Sequence, residues 1–223
     1  ISRTRRSGQP EPGLQPHAPA AMACAMSAAP PIRAALQADW AELGHIVGSA
    51  FAHDPVSNWT LGGSAAITTA FTALGRHIYL PRGLCHLAPG QGGTMWLGPG
   101  GSKDLALLPQ LQLIPRLVRM SGIGVVSRAL AVDAAMKRRR LAAPHYYLFA
   151  VGVLPSARGQ GLARRLIGEL LARADAEGLP AWLENSNPRN ESLYRGLGFT
   201  PVETFEAAPG CPPLTTMQRA PHA

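Results

Sequence analysis

The spacing of apolar residues along the first 140 positions predicts helices alternating with short strands. Apolar residues recur at helical spacing after Asp39, a candidate helix N-cap, as far as Phe51. Asp54-Pro55 ends this helix and can start another near 56–61. Further helices are predicted at 64–78, 104–120 and 123–139, and strands at 32–36, 84–88 and 94–97.

The second half contains the strongest predicted strand and the clearest predicted helix. Tyr146–Val153 carries no charge, which is typical of a central strand buried on both faces. Residues 160–177 place their leucines and Ile167 on one helical stripe, and Gly178 ends the helix. The remaining predicted elements are strands at 181–184, 199–205 and 214–219 and a short helix at 189–196.

Between this strand and this helix lies a basic, glycine-containing loop, Pro155-Ser-Ala-Arg-Gly-Gln-Gly161. A helix N-terminus offers unsatisfied N–H groups and a positive dipole end, and glycines let an anion approach the backbone. The loop therefore predicts a site for a phosphate-bearing ligand. It lacks the Gly-Lys-Ser/Thr of a Walker loop and the third glycine of a dinucleotide fingerprint.

The net charge of +8 is concentrated in residues 1–31 and in Lys137–Arg140. This local basicity argues against a nucleic-acid-binding face, and 137–140 is interpreted as a solvated helix end, with an acidic partner as the alternative. The three cysteines are far apart and show no metal-ligand spacing, which favours a reducing compartment and no metal. No apolar run approaches the roughly 20 residues that span a membrane.

The first 31 residues contain Pro, Gly, Ala and Arg with little periodicity. We predict a disordered extension there rather than a signal peptide, because the segment is poor in Leu, Ile and Val. Translation starting at Met22 or Met26 is a further hypothesis.

Three features of residues 146–200 resemble the GNAT superfamily of N-acetyltransferases. The loop reads Arg158-x-x-Gly161-x-Ala163, Tyr194 follows Asn187 by seven residues, and Gly198-Phe199 closes the pattern. Upstream, Ala50-Phe-Ala-His-Asp-Pro55 and Met95-Trp-Leu97 are similar to the branch that includes puromycin N-acetyltransferase. The likeness covers about 32–219, so we expect one domain there, with 220–223 as a tail.

The resemblance implies an α/β (α+β) fold with a mixed, mainly antiparallel twisted sheet of six or seven strands flanked by helices. It implies transfer of an acetyl group from acetyl-CoA to a primary amine of a small molecule by direct attack, without a metal. A catalytically idle acyl-CoA-binding module is the alternative. We expect a cytoplasmic monomer or homodimer with no nucleic-acid or membrane partner.

The resemblance also assigns residues to the cofactor site. The backbone of the strand end would bond the pantetheine arm after this strand splays from 181–185, the loop N–H groups would surround the pyrophosphate, and Arg158 would add charge. Asn187 would fix the far end of the arm, and Asn190 belongs to the same site. The backbone positions are Val151, Gly152, Val153, Gly159, Gln160, Gly161, Leu162 and Ala163.

Two residues are assigned catalytic roles. Tyr194 would protonate the departing CoA thiolate, because a phenol has a pKa close to that of a thiol. Glu184 is the first candidate for the general base, and Asp54 and His53 are second candidates. Strand 146–150 lacks the glutamate that many GNAT enzymes carry there. The alternatives are that Glu184 braces the 187–190 turn and that Tyr194 is a core residue. Trp59 is a candidate acceptor contact.

Overall fold

The computed structural model describes Ile1, residues 31–102 and residues 104–222. The predicted disordered extension lies outside the described residues, apart from Ile1 and Pro31 at its two ends.

The helices follow the predicted periodicity closely. They are α1 (Trp40–Ala50), α2 (Pro55–Leu61), α3 (Ser64–Leu74), α4 (Leu80–Arg82), α5 (Leu107–Ser121), α6 (Gly124–Arg139), α7 (Leu162–Ala176) and α8 (Glu191–Arg195). A π-helical turn, Gly75–Tyr79, joins α3 to α4, and 3₁₀ turns form at Gln37–Asp39, Pro155–Ala157 and Pro188–Asn190.

The strands form one sheet. They are β1 (Arg33–Ala34), β2 (His86–Ala88), β3 (Gly92–Leu97), β4 (Tyr146–Val153), β5 (Ala181–Asn185), β6 (Thr200–Phe205) and β7 (Leu214–Arg219). Their order is β1-β2-β3-β4-β5-β7-β6, and β4 with β5 is the one parallel pair among the described strands. The predicted mixed, mainly antiparallel sheet of a single α/β domain is confirmed.

Helices cover both faces of this sheet. On one face, α1 and α3 pack with the sheet through a cluster that includes Leu43, Ile67 and Tyr147. On the other face, the apolar stripe of α7 packs against Tyr146 and Leu183. Burial on both faces explains why β4 is an uncharged run.

The approach of α1 to α3 depends on two glycines of α1. A Cβ atom at Gly48 would lie 2.6 Å from the Cα atom of Thr68, and one at Gly44 would collide with Thr72. Helix α1 therefore sits closely between α3 and the sheet, and its C-terminal end is held near the centre of the molecule.

One local prediction is wrong, and the interpretation of 137–140 as a solvated helix end holds only in part. The carboxylate of Asp39 does not cap α1; it accepts the N–H of Leu36 at 2.7 Å and pairs with Arg33. The run 137–140 is not simply solvated, because three of its cations have partners. Lys137 pairs with Asp104 and Asp133, Arg139 pairs with Glu203, and the guanidinium of Arg140 lies 4.0 Å from the Tyr147 ring centroid.

No helix in the described part of the chain is both long and apolar enough to cross a bilayer. Within the same residues, no group of three or more His, Cys, Asp or Glu side chains is arranged to hold a metal ion.

Candidate functional site

Strands β4 and β5 part in the middle of the sheet. Their parallel pairing runs from Tyr146↔Ala181 to Leu148↔Leu183 and goes no further. Beyond this point β4 pairs only with β3 among the described strands, and β5 pairs with β7. One edge of β4 therefore faces a gap, and the splay predicted for 149–153 is present.

The chain leaves β4 through the glycine loop and enters α7 at Leu162. Gly159 and Gly161 both have positive φ angles, of 76° and 70°, which L side chains rarely adopt. Gly161 is the N-cap residue of α7 and supplies no side-chain cap, and a Cβ atom at either glycine would meet nothing within 4 Å. The loop is therefore open at both glycines and no side chain caps α7, which leaves the first N–H groups of this helix available to an anion.

The other predicted cofactor residues are placed around this loop. The Arg158 Nε donates to the Val153 carbonyl at 3.1 Å, so this side chain folds back onto the loop base. The Leu162 side chain is buried, which leaves only its backbone for a ligand. Gly152 is buried under α1: a Cβ atom there would lie 2.8 Å from the Val47 Cα atom.

A cavity of about 150 Å³ lies next to the gap between β4 and β5. Its walls are mostly apolar and come from α2, α3, α6, α8, the sheet and the segment that follows α1. Its polar lining consists of Asp54, Ser57, Thr60, Glu184, Ser186, Asn190 and Tyr194. The structure thus brings together the two predicted catalytic residues and one of the second-choice bases, whereas His53 is exposed and does not line the cavity.

Asp54 is the most enclosed carboxylate of this cavity, with 5% of the residue exposed. One oxygen accepts the N–H of Ser57 at 2.8 Å and so caps α2, and the other accepts the Ser186 hydroxyl at 2.6 Å. Burial raises the pKa of Asp54, and these hydrogen bonds oppose that rise in part. The sequence does not predict the contact of Ser186 with Asp54, because the two residues are 132 positions apart and only the fold brings them together.

Glu184 is held by two aromatic donors. Its Oε2 accepts the Tyr147 hydroxyl at 2.7 Å, and its Oε1 accepts the Trp182 Nε1–H at 3.0 Å. Burial, with the charge of Glu184 as a smaller cause, raises the pKa of Tyr147 well above its usual range, so this hydroxyl remains a donor. Glu184 therefore lines the cavity with both oxygens already engaged.

Tyr194 is buried, and its ring packs edge-on against Phe199 with centroids 6.2 Å apart. Burial and then the charge of Asp54 raise the pKa of Tyr194 above its ordinary value. The hydroxyl accordingly keeps its proton at neutral pH and is a weaker acid than an ordinary phenol.

Asn187 and Asn190 flank the turn that leads to α8 and Tyr194. The Asn187 Oδ1 accepts the N–H of Arg189 at 3.1 Å, which caps the 3₁₀ turn, while Asn190 is exposed at the cavity. Trp59, the predicted acceptor contact, packs in a separate cluster with Val56 and Phe205 instead.

Comparisons with known proteins bear on this arrangement. The model of the acetyltransferase (GNAT) family matches residues 123–199. A Corynebacterium glutamicum protein, described as histone acetyltransferase HPA2 and related acetyltransferase, has a structure with a TM-score of 0.65 to this one. It is 27% identical, and the match covers 87% of this chain and 97% of that chain. These matches support a GNAT superfamily acetyltransferase.

Two other solved N-acetyltransferase structures share the fold at low identity. Arylalkylamine N-acetyltransferase 2 of Aedes aegypti has a TM-score of 0.57 and 12% identity over 86% of this chain and 99% of its own. The polyamine N-acetyltransferase of Drosophila melanogaster has a TM-score of 0.55 and 14% identity over 85% and 98%.

A curated relative, an uncharacterized N-acetyltransferase of Schizosaccharomyces pombe, is 41% identical over 54 residues. This match covers 24% of the chain and 22% of that relative's length, so it says little about the whole protein. The likeness to the puromycin N-acetyltransferase branch stays a prediction.

Proposed function

We propose that this protein transfers an acetyl group from acetyl-CoA to a primary amine of a small molecule by direct attack in a ternary complex. The observation that carries the proposal is the position of the gap between β4 and β5. It runs from the uncapped N-terminus of α7 to the cavity that holds Asp54 and Tyr194.

In this proposal acetyl-CoA lies along the gap. The N–H groups of Gly159, Gln160, Gly161, Leu162 and Ala163 bind its pyrophosphate, and Arg158 adds positive charge after leaving the Val153 carbonyl. The unpaired edge of β4, at Val151, Gly152 and Val153, bonds the pantetheine arm. Asn187 and Asn190 lie where β5 ends and hold the far end of the arm.

We assign the general base to Asp54 ahead of Glu184, which remains the second candidate. A base works best when its pKa is near the working pH, and burial moves the pKa of Asp54 in that direction. Both carboxylates accept two hydrogen bonds, so it is the deeper burial of Asp54 that separates it from Glu184. Asp54 takes a proton from the ammonium form of the acceptor, and the neutral amine attacks the acetyl carbonyl.

Tyr194 completes the reaction. The tetrahedral intermediate collapses with cleavage of the C–S bond, the Tyr194 hydroxyl gives its proton to the sulfur, and the surplus proton of the attacking nitrogen returns to the Tyr194 oxygen to leave the neutral amide. Burial moves the pKa of Tyr194 away from that of a thiol, so what supports this role is the position of Tyr194 in the cavity rather than a match of pKa values.

The test is a mass-spectrometric screen of amines with acetyl-CoA, followed by kinetics of the Asp54→Asn and Glu184→Gln variants. Asparagine also caps helices well, so Asp54→Asn keeps the α2 cap while removing the base. We expect its kcat/KM to fall by about 10²–10⁴ and the acidic limb of the pH profile to disappear. Glu169→Gln, on the exposed face of α7, is the matched control.

The outcomes separate the hypotheses. If Glu184→Gln lost the acidic limb of the pH profile and Asp54→Asn kept it, Glu184 would be the general base. Tight binding of acetyl-CoA without turnover of any amine would favour the idle acyl-CoA-binding module.

A further inference from the structure

A second and larger cavity, of about 460 Å³, adjoins the cavity that holds Asp54 and Tyr194. It lies between α3 and the hairpin of α5 and α6, which the chain inserts between β3 and β4. Most of its lining is aliphatic, with Leu113, Ile114 and Leu117 from α5 and Val125, Val126 and Ala129 from α6.

The two cavities share part of their walls. The residues that line both include Leu61, Leu74, Val132, Met136 and Phe149. Met136 is unbranched and has three rotatable side-chain bonds, so this part of the wall can adapt to a ligand that occupies both spaces. A molecule with its amine at Asp54 can therefore extend past these residues into the second cavity.

Three charged groups line the second cavity, Asp104, Asp133 and Lys137, and they are paired with one another. The Lys137 Nζ is 3.0 Å from a carboxylate oxygen of Asp104 and 3.2 Å from one of Asp133. The Asp104 side chain is 72% exposed, so the cavity is open to solvent there. Most of the other residues that line the second cavity are apolar.

We infer that the second cavity binds the apolar part of the acceptor, which is a primary amine carrying an extended alkyl or aryl group. This inference rests on the proposed function. An acceptor with charged nitrogens along its length would have to bury them between mostly aliphatic walls, at a large cost in desolvation, because the carboxylates of Asp104 and Asp133 already pair with Lys137. Linear polyamines are therefore poor acceptors, and apolar monoamines are good ones.

The test measures kcat/KM for straight-chain primary amines from propylamine to decylamine, with spermidine as the charged comparison. Each methylene that moves from water into an apolar cavity strengthens binding by about fourfold. We expect kcat/KM to rise by about that factor per methylene until the cavity is filled, and spermidine to react more slowly than an alkylamine of equal length.

A pair of variants tests whether the dependence of kcat/KM on chain length arises in the second cavity. Ala129→Phe fills the second cavity, and Ala131→Phe makes the same change on α6 at a half-buried position that lines neither cavity. In Ala129→Phe, the ratio of kcat/KM for octylamine to that for propylamine should fall at least tenfold, whereas Ala131→Phe should keep the ratio of the unmodified protein.

Each outcome has one meaning. Acetylation of short and long amines with equal kcat/KM by the unmodified protein would overturn this inference and leave the proposed function standing. Preference for spermidine would do the same. Acetylation of no amine in the series would overturn the proposed function, and this inference with it.

Discussion

Gly152 was predicted as a cofactor residue, and its packing yields the sharpest structural prediction. A Cβ atom there would lie 2.8 Å from the Val47 Cα atom, 3.1 Å from the Ala50 Cβ atom and 3.2 Å from the Ile46 carbonyl oxygen. Ordinary contacts begin near 3.4 Å, so Gly152→Ala must push α1 away from β4 by about 0.6 Å. The neighbours are mostly backbone atoms, which cannot rotate away.

The cost follows from this displacement. Overpacking by one methyl group destabilises a well-packed core by about 1–3 kcal/mol. For a domain of this size each kcal/mol lowers the Tm by about 2–4 °C, so we expect a loss of roughly 2–12 °C. Because the chain runs from α1 to Asp54 through hydrogen-bonded turns at Phe51 and Asp54, a shift of α1 also displaces the base and lowers kcat/KM.

Thermal unfolding followed by circular dichroism measures the Tm, and steady-state kinetics measures kcat/KM. Gly168→Ala in α7 is the matched control, since a Cβ atom there meets nothing within 4 Å and removal of a helical glycine should add about 0.5–1 kcal/mol of stability. An unchanged Tm for Gly152→Ala, combined with a raised KM for acetyl-CoA, would refute the packing argument. Gly152 would then be required for the approach of acetyl-CoA.

Three further predictions follow from single contacts. Tyr194→Phe keeps the ring packing but removes the proton donor, so kcat should fall by about 10²–10⁴ with little change in acetyl-CoA affinity by isothermal titration; an unaltered kcat would remove this role. Gly161→Glu should abolish acetyl-CoA binding in the same titration, whereas Gly100→Glu, at an exposed glycine with a similar φ of 75°, should not; equal affinities would mean that the loop binds no pyrophosphate. The paired hydrogen bonds from Arg219 lower the pKa of Asp175 to about 2, so the stability they provide is present above pH 4 and lost as the pH falls towards 2. Asp175→Asn should therefore lower the free energy of unfolding by roughly 2 kcal/mol at pH 7, and by much less near pH 2; urea unfolding at both values measures this, and an equal loss at both would contradict it.

Local periodicity and turn chemistry account for the parts of the fold that the sequence predicted well. An apolar stripe such as that of α7 or an uncharged run such as β4 encodes its own secondary structure, because its burial pattern repeats with the period of that structure. The glycine loop is equally local, since its positive φ angles and its place before a helix depend on adjacent residues. Asp54-Pro55 likewise predicted the start of α2, and the carboxylate caps that helix.

Errors arose where a charged side chain bonded to a partner that periodicity does not encode, either nearby or far along the chain. Asp39 stands before α1 as a cap would, but Arg33 and the Leu36 N–H take its carboxylate. The cations of 137–140 look solvated in sequence, yet Glu203 and the Tyr147 ring lie within reach of two of them in the fold. Propensity cannot anticipate such contacts, because the partners are up to 64 positions away.

By itself, the sequence therefore determined the helices and strands, the order in which they follow one another, and the anion-binding character of the loop before α7. Only the tertiary structure decided which carboxylate lies deepest in the cavity, because burial and the Ser186 hydroxyl distinguish Asp54 from Glu184. It also decided the shape of the acceptor side, where α5 and α6 close an apolar cavity against α3. The physical reason is that a pKa and a cavity depend on what surrounds a group in space, and those surroundings come from segments far apart in the chain.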